Sequence, residues 1–581
     1  MSAQADADEV ISNARPASPT GSALSAVCRR YWDFALVGAL ALVLWLPRLG
    51  GPIDLRWDAG VYYVLGTSLA TGQGYRILSE PGSPKALQYP PLLPGAVALV
   101  ERALGSTNPD VVAPWLRKLY CLLFIAYAVS TLALARRYLP VSLAVAAAAL
   151  VLLQVNTLFL SDLLFTELPF ALISVIFVLV AGGQVMESRP WVREALSFLI
   201  AAAGFLLRTA GLALLVAWIA EAMVRRRWKL VLTRAALSLV PLFAWQAYVA
   251  HVRGSYEYAH PAYEYQRAPY QFYNVSYAEN VGTADLDHPG SRRTHTEAFV
   301  SRIKSNALHL LKGLGEAVST SEGYWRQCLS LAQQKLIGRQ FIPLSIVLIP
   351  IGFYSLLVLG GIAWLFRSGA WLMFLIIVVS LGLICTTPWP GQFQRYLMPV
   401  TPFLAIAAML AVSQLFSLTL PSISGRSSHV ARQILIGGAV LLPLLVETFT
   451  ASEIFRLRKQ QGAAFVAGRG PVGPHFFYHE LLWRGWEEAV AWINKYAAPD
   501  SIIATPASHL CYLRTGRHAV SPPIEADPLR ASNLLKSVPV SYVIVDRGYK
   551  LPAVERDSAS WHLIQSFDGT KLYERSLDTG E

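Results

Sequence analysis

Eleven apolar runs, most of them about as long as a helix that crosses a bilayer, govern what this chain can fold into. They lie near residues 33–49, 117–136, 140–160, 165–184, 194–207, 209–224, 230–249, 342–366, 369–386, 396–417 and 432–449. Roughly 17–25 apolar residues cross the hydrocarbon core, and inside lipid a backbone must satisfy its own hydrogen bonds. The class is therefore a polytopic α-helical membrane protein with about eleven spans. Only 15% of residues are charged, where a water-soluble protein carries about 25%. The net charge of +12 does not point to nucleic acid. Its basic residues flank the apolar runs, where membrane orientation and anionic lipid account for them.

Charge placement sets the expected topology. Arg136-Arg137 and Arg225-Arg226-Arg227 both belong on the cytoplasmic side under the positive-inside rule. One long helix over 194–224 would break that. Two short helices meeting at Arg208 on the outer side preserve it. The expected organisation is a cytoplasmic tail over 1–32, a membrane region over 33–450 with external loops 50–116 and 250–341, and an external α/β domain over 451–581. Residues 1–28 have no apolar core of a cleavable signal peptide, so the first run reads as a signal anchor. Of the five cysteines (Cys28, Cys121, Cys328, Cys385, Cys511), only Cys328 and Cys511 fall on the oxidising side, and a disulfide between them stays open. No Cys/His spacing suits a metal.

The external segments carry further expectations. Stretches 59–71 and 92–105 are too short to span and read as helices in the interface. The tyrosines from Tyr248 to Tyr277 read as an aromatic belt, with sugar contacts as the alternative. Phe299, Ile303, Ala307, Leu310 and Leu314 mark a basic amphipathic helix, lying on the membrane or against the C-terminal region. Beyond 452, residues 486–496 read as a helix, 501–505 and 540–545 as strands, and 567–573 as a hairpin with an Asp-Gly turn. No Gly-rich phosphate loop occurs there, so no nucleotide is expected.

The ionisable residues near the outer face are Asp58, Lys85, Asp162, Glu167, Arg208 and Arg395, with Glu447 at the margin. A transporter would place such groups at the midplane of repeated halves, and no repeat is evident. The chemistry is expected at the external interface. A partly desolvated carboxylate is suited to accept a proton, and arginine can hold a phosphate bidentately. Each residue also has a plainer reading. Asp58 could cap the helix beginning at Ala59, and Glu167 could be a first-turn acid. Asp162 could be a loop residue, Arg395 a snorkelling side chain, Arg208 a turn residue, and Lys85 part of a flexible loop.

The motifs, taken in order, are Asp58 after the first span, Tyr89-Pro90-Pro91, Thr166-Glu167-Leu168-Pro169-Phe170, Leu207-Arg208, and Arg395-Tyr396 with Pro399 and Pro402. The C-terminal stretches Ala491-Trp492-Ile493 through Ser501 and Leu513-Arg514-Thr515-Gly516-Arg517 join them. In this set the chain resembles the integral-membrane glycosyltransferases of the GT-C class, and among them the bacterial members of the dolichyl-phosphate-mannose protein mannosyltransferase and lipid A aminoarabinose transferase superfamily. The resemblance implies a multi-pass protein of the bacterial plasma membrane that takes a polyprenyl-phosphate sugar from the outer leaflet. It implies Asp58 as general base and Glu167 as a second catalytic acid. It also implies Arg395, Arg208 and Lys85 on the donor phosphate, and Tyr62, Tyr89 and Asp162 along the donor and acceptor groove. Transfer is expected to invert the anomeric centre. Many relatives carry paired acids where this chain has Asp58-Ala59, which argues against an obligatory metal held by two adjacent carboxylates. No cofactor is certain from the sequence, and a divalent metal stays possible though nothing indicates one. The acceptor is left open among protein, lipid and glycan, and the alternative functions are a lipid-linked sugar flippase and a cell-envelope assembly protein.

Overall fold

The computed structural model describes residues 20–183, 189–283, 296–339, 342–418, 426–469 and 481–576. Most of the N-terminal tail and the side chain of Cys28 lie outside this range. The first helices are α1 (Thr20–Trp45), α2 (Asp58–Ala70), α3 (Leu92–Leu104), α4 (Pro109–Ala135), α5 (Val141–Leu153), α6 (Val155–Asp162) and α7 (Glu167–Ala181). There follow α8 (Pro190–Leu207), α9 (Leu212–Val224), α10 (Trp228–Arg253), α11 (Tyr256–Ala259), α12 (Tyr277–Val281), α13 (Thr296–Ser319) and α14 (Glu322–Ile337). Next come α15 (Leu348–Arg367), α16 (Trp371–Cys385), α17 (Phe393–Leu397), α18 (Thr401–Leu418) and α19 (Arg426–Arg469). The C-terminal part holds α20 (Leu481–Tyr496), α21 (Ser508–Thr515), α22 (Pro528–Lys536) and α23 (Pro552–Glu555) among five strands.

This is a multi-pass membrane protein. Among the described residues, seven helices are long and apolar enough to cross a bilayer, and α5 with α6 forms one further pair bent by 52°. The bend has a local cause: Gln154 interrupts the helix, and its side chain accepts from the Thr157 N–H to restart it. Glu167–Ala181, Thr209–Val224 and Trp371–Cys385 are shorter apolar helices. The chain does break at Arg208, between α8 and a 3-10 turn over Thr209–Gly211.

Small residues set how closely the helices approach. A Cβ at Gly361 on α15 would lie 1.8 Å from the Ala407 carbonyl oxygen on α18. Gly361→Ala should therefore destabilise the bundle by about 1–3 kcal/mol, the cost of overpacking. Reversible unfolding in mixed micelles would measure it, and an unchanged midpoint would contradict the close packing.

The C-terminal sheet runs β2-β1-β3-β5-β4, with β1 (Ile502–Ala504), β2 (Ala519–Val520), β3 (Val540–Val545), β4 (Trp561–Phe567) and β5 (Thr570–Arg575). β2, β1 and β3 pair in parallel, while β5 is antiparallel to both β3 and β4. Asp568 and Gly569 join β4 to β5 with φ of 45° and 89°, the left-handed pair that a two-residue hairpin turn requires. Side chains alternate along β3 as the pleat demands. Tyr542 and Ile544 join the large core that includes Trp486 and Ile493 of α20, whereas Val543 and Val545 pack with Tyr263, Tyr265 and Tyr270.

That packing corrects several expectations. The tyrosines at 263, 265 and 270 are buried against the sheet rather than forming an aromatic belt. Helix α2 does not lie in the interface with one face in lipid. Nearly all of it is buried, between α3 and α21. The C-terminal half of α13 packs into the helical bundle, against α15, α16 and α17. Cys328 and Cys511 do not pair: both are free thiols, Cys511 wholly buried and the Cys328 sulfur 3.9 Å from the Thr450 hydroxyl.

Candidate active site

The segment before α2 is held by buried charge. Arg117 donates to the carbonyls of Arg48 and Pro52 and to Asp162 at 2.8 Å, and Arg48 donates to the Leu158 carbonyl and the Ser161 hydroxyl. Backbone bonds then lay this segment beside the next: Asp54 N–H donates to Asp162, and Leu164 N–H to Asp54. Asp54 accepts from Arg56 on both carboxylate oxygens, Nε to Oδ1 and Nη2 to Oδ2. Buried backbone groups need such partners, and here they bring residues 53–58 against 162–167. Asp162 is the wholly buried hub of this network. It does not line the cavity, which corrects the groove role expected from sequence: its carboxylate is committed to arginine in the protein interior.

Asp58 opens α2, preceded by Trp57 at φ 56° and ψ −133°. A bulky residue at positive φ is uncommon, and such backbone conformations cost on the order of 1–3 kcal/mol. Asp58 is not a cap, since its oxygens go elsewhere. Oδ1 accepts from the Tyr273 hydroxyl at 2.8 Å, and Oδ2 from Nη2 of Arg395 at 2.5 Å. The same guanidinium donates through Nε to Glu167, the first residue of α7. Glu167 in turn pairs with Arg208 at 2.6 Å. The result is a chain of alternating charge, Asp58–Arg395–Glu167–Arg208. The Arg395 guanidinium also lies 4.3 Å from the Phe165 ring centroid, and that of Arg208 lies 5.7 Å from Tyr396.

This chain borders a cavity of about 700 Å³. Asp58, Tyr62, Tyr89, Tyr273, Arg208 and Arg395 line it, and Phe159, Phe170, Leu242, Trp245 and Leu383 are among its apolar lining. Glu167 is wholly buried behind the two arginines and does not line the cavity. Lys85 is not brought in either. It lies in the turn after Ile77, where Glu257 accepts from its backbone N–H and pairs with Arg76. Glu447 is wholly buried within α19, also away from the cavity.

Tyr273 is the site residue that sequence reasoning missed. Its tyrosine-rich stretch carried a signal, but spacing alone could not tell the one tyrosine that meets Asp58 from those that pack on the sheet. Burial, and then the Asp58 charge, push the hydroxyls of Tyr62, Tyr89 and Tyr273 well above the ordinary tyrosine value. Tyr273 therefore stays a donor at neutral pH. Behind it stands His509 of α21, with ring centroids 4.9 Å apart and Nδ1 2.7 Å from the Ser79 hydroxyl.

Burial lowers the His509 pKa from 6.5 to about 4, against the opposing charge of Asp58. Between those values the unfolded chain binds a proton that the folded chain does not, so stability falls as pH falls. A melting-temperature titration should show this loss between pH 6.5 and about 4. His509→Gln should flatten it, and an equal slope in that variant would exclude His509 as the cause.

What does this arrangement resemble? The structure superposes on ArnT from Cupriavidus metallidurans bound to undecaprenyl phosphate with a TM-score of 0.52 at 11% identity, covering 94% of this chain and 99% of that one. It superposes on the oligosaccharyltransferase of Archaeoglobus fulgidus, solved with zinc and sulfate, with a TM-score of 0.50 at 12% identity. That match covers 91% of this chain and 69% of the other. The fold is GT-C. At such identity the GT-C likeness establishes architecture alone. No family model matches the sequence, and no curated protein is detectably similar to it. The archaeal protein was solved with zinc, so the residues present here matter. Around Asp58 stand an arginine and a tyrosine, and Glu167 is enclosed by two arginines. Among the described residues no three His, Cys, Asp or Glu side chains gather. Such a set is a poor fit for a divalent cation, which seeks several oxygen or nitrogen donors.

Proposed function

We propose that this protein transfers a glycosyl group from a polyprenyl-phosphate sugar to an acceptor hydroxyl at the external membrane face. The single observation that carries this reading is the Asp58–Arg395–Glu167–Arg208 chain, of which Asp58, Arg395 and Arg208 line a cavity with extensive apolar lining. An apolar wall suits a polyprenyl tail, and two arginines suit its phosphate. In the proposed step the acceptor oxygen attacks the anomeric carbon and gives its proton to Asp58. The bond from that carbon to the phosphate oxygen breaks, and its electron pair leaves with the polyprenyl phosphate, which Arg208 and Arg395 hold. Attack from the face opposite the leaving group inverts the centre. Glu167 acts by fixing both arginines rather than by touching substrate. ArnT bound to undecaprenyl phosphate supports the donor class.

The test is direct. Purified protein given labelled undecaprenyl-phosphate sugars should release undecaprenyl phosphate and form a glycosylated product. Movement of the labelled lipid across liposomes without bond cleavage would instead favour a flippase. We further propose eleven crossings, with the membrane region over 33–450 and residues 451–581 external, in a bacterial plasma membrane. A reporter active only outside the cytoplasm, fused after residue 581, should be active. An inactive reporter would put Asp58 and its partners on the wrong side for an outer-leaflet donor.

A further inference from the structure

Building on the transferase reading, we propose that the donor phosphate unmasks Asp58. Arg395 covers one carboxylate oxygen until the phosphate draws its guanidinium away, so the donor must bind before an acceptor hydroxyl can be activated. Tyr273 is the positioning residue that keeps the other oxygen in place throughout.

The two contacts on Asp58 differ in kind. Oδ1 is held by a neutral phenol at 2.8 Å, and Oδ2 by a guanidinium at 2.5 Å. An oxygen in such close contact with a guanidinium has no room for a hydroxyl from that side. A phosphate ester competes with carboxylate for arginine because both accept its paired N–H groups. It has no comparable claim on a phenol already donating to Asp58. The exchange is feasible for Arg395 because its side chain is 20% exposed and lines the cavity. Nor would it strand Glu167, which keeps Arg208 at 2.6 Å. Arg208 lines the same cavity, so the phosphate would meet two guanidinium groups and hold Arg395 off Asp58. Tyr273 also lines the cavity, but it is partly buried and its ring is held by Tyr89 and His509 at 6.1 and 4.9 Å between centroids, so it is less free to follow. Once Arg395 moves, Oδ2 is the freed oxygen and the one that takes the proton.

Carbodiimide-driven amine labelling tests this on the full chain in lipid nanodiscs, with undecaprenyl phosphate as the probe. Peptide mass spectrometry reads the label on Asp58, and native mass spectrometry separately reads lipid binding. The expected result is a several-fold rise in Asp58 labelling when the lipid binds. Bound lipid with unchanged or reduced labelling would overturn the proposal while leaving the transferase reading intact. Failure of the lipid to bind would count against that reading itself. Arg395→Gln should label to the same high extent with and without lipid. Should that variant misfold, the wild-type comparison still decides. Tyr273→Phe should lower kcat with the donor KM unchanged. A raised donor KM at unchanged kcat would remove Tyr273 from its positioning role.

Discussion

Asp58→Asn should lower transfer by about 10²–10⁴-fold, the usual contribution of a positioned general base. The amide has nearly the carboxylate's shape and its oxygen can still accept from Tyr273 or Arg395. It cannot take up the acceptor's proton. Because Asp58 is one of two acids sharing Arg395, its neutralisation leaves that guanidinium with Glu167 and freer to meet a phosphate. Donor binding should therefore hold or tighten while turnover collapses. Single-turnover assays with labelled polyprenyl-phosphate sugar, beside a direct lipid-binding measurement, separate the two effects. Wild-type turnover in this variant would sink the base assignment.

The second large effect belongs to Glu167. Glu167→Leu should destabilise the folded protein by about 3–5 kcal/mol, the cost of leaving buried cations without their counter-ion. The carboxylate is wholly buried between Arg208 and Arg395, whose side chains are 16% and 20% exposed. Removing it sets two like charges facing each other in a poorly hydrated site. Function should fall as well, since both arginines lose the group that aims them. Unfolding in mixed micelles reads the stability, and Glu167→Asp should recover part of it. The contrast with Asp58→Asn is informative: one variant should be stable and inactive, the other unstable. A Glu167→Leu protein with unchanged stability would show that the charge chain does not hold the site together.

Much of the architecture was legible because its physics is local. An apolar run reports a membrane helix wherever its neighbours lie, since the backbone bonds close within the segment. The break at Arg208 followed from charge alone, by keeping two arginine clusters on one side. The Asp-Gly turn between β4 and β5 was equally local, because those two residues tolerate positive φ. Asp58, Glu167, Arg208 and Arg395 could be named from their place beside apolar runs. What they do to one another could not. Asp162 and Lys85 are likewise ionisable residues beside the outer face, yet one is locked to Arg117 in the interior and the other lies outside the cavity. Periodicity also misjudged α2, whose mostly apolar sequence suited an interfacial surface as well as the buried one it has.

The sequence by itself determined that this chain is a multi-pass helical membrane protein with a small α/β region near its end. It also identified acids and arginines with a common place beside the bilayer. Only the tertiary structure decided which of them meet. Asp58 and Arg395 are 337 residues apart and Asp58 and Tyr273 are 215 apart. No local pattern encodes such pairings. They exist because a buried charge must find a counter-charge or a donor, and the packing of helices from distant parts of the chain fixes which partner is within reach.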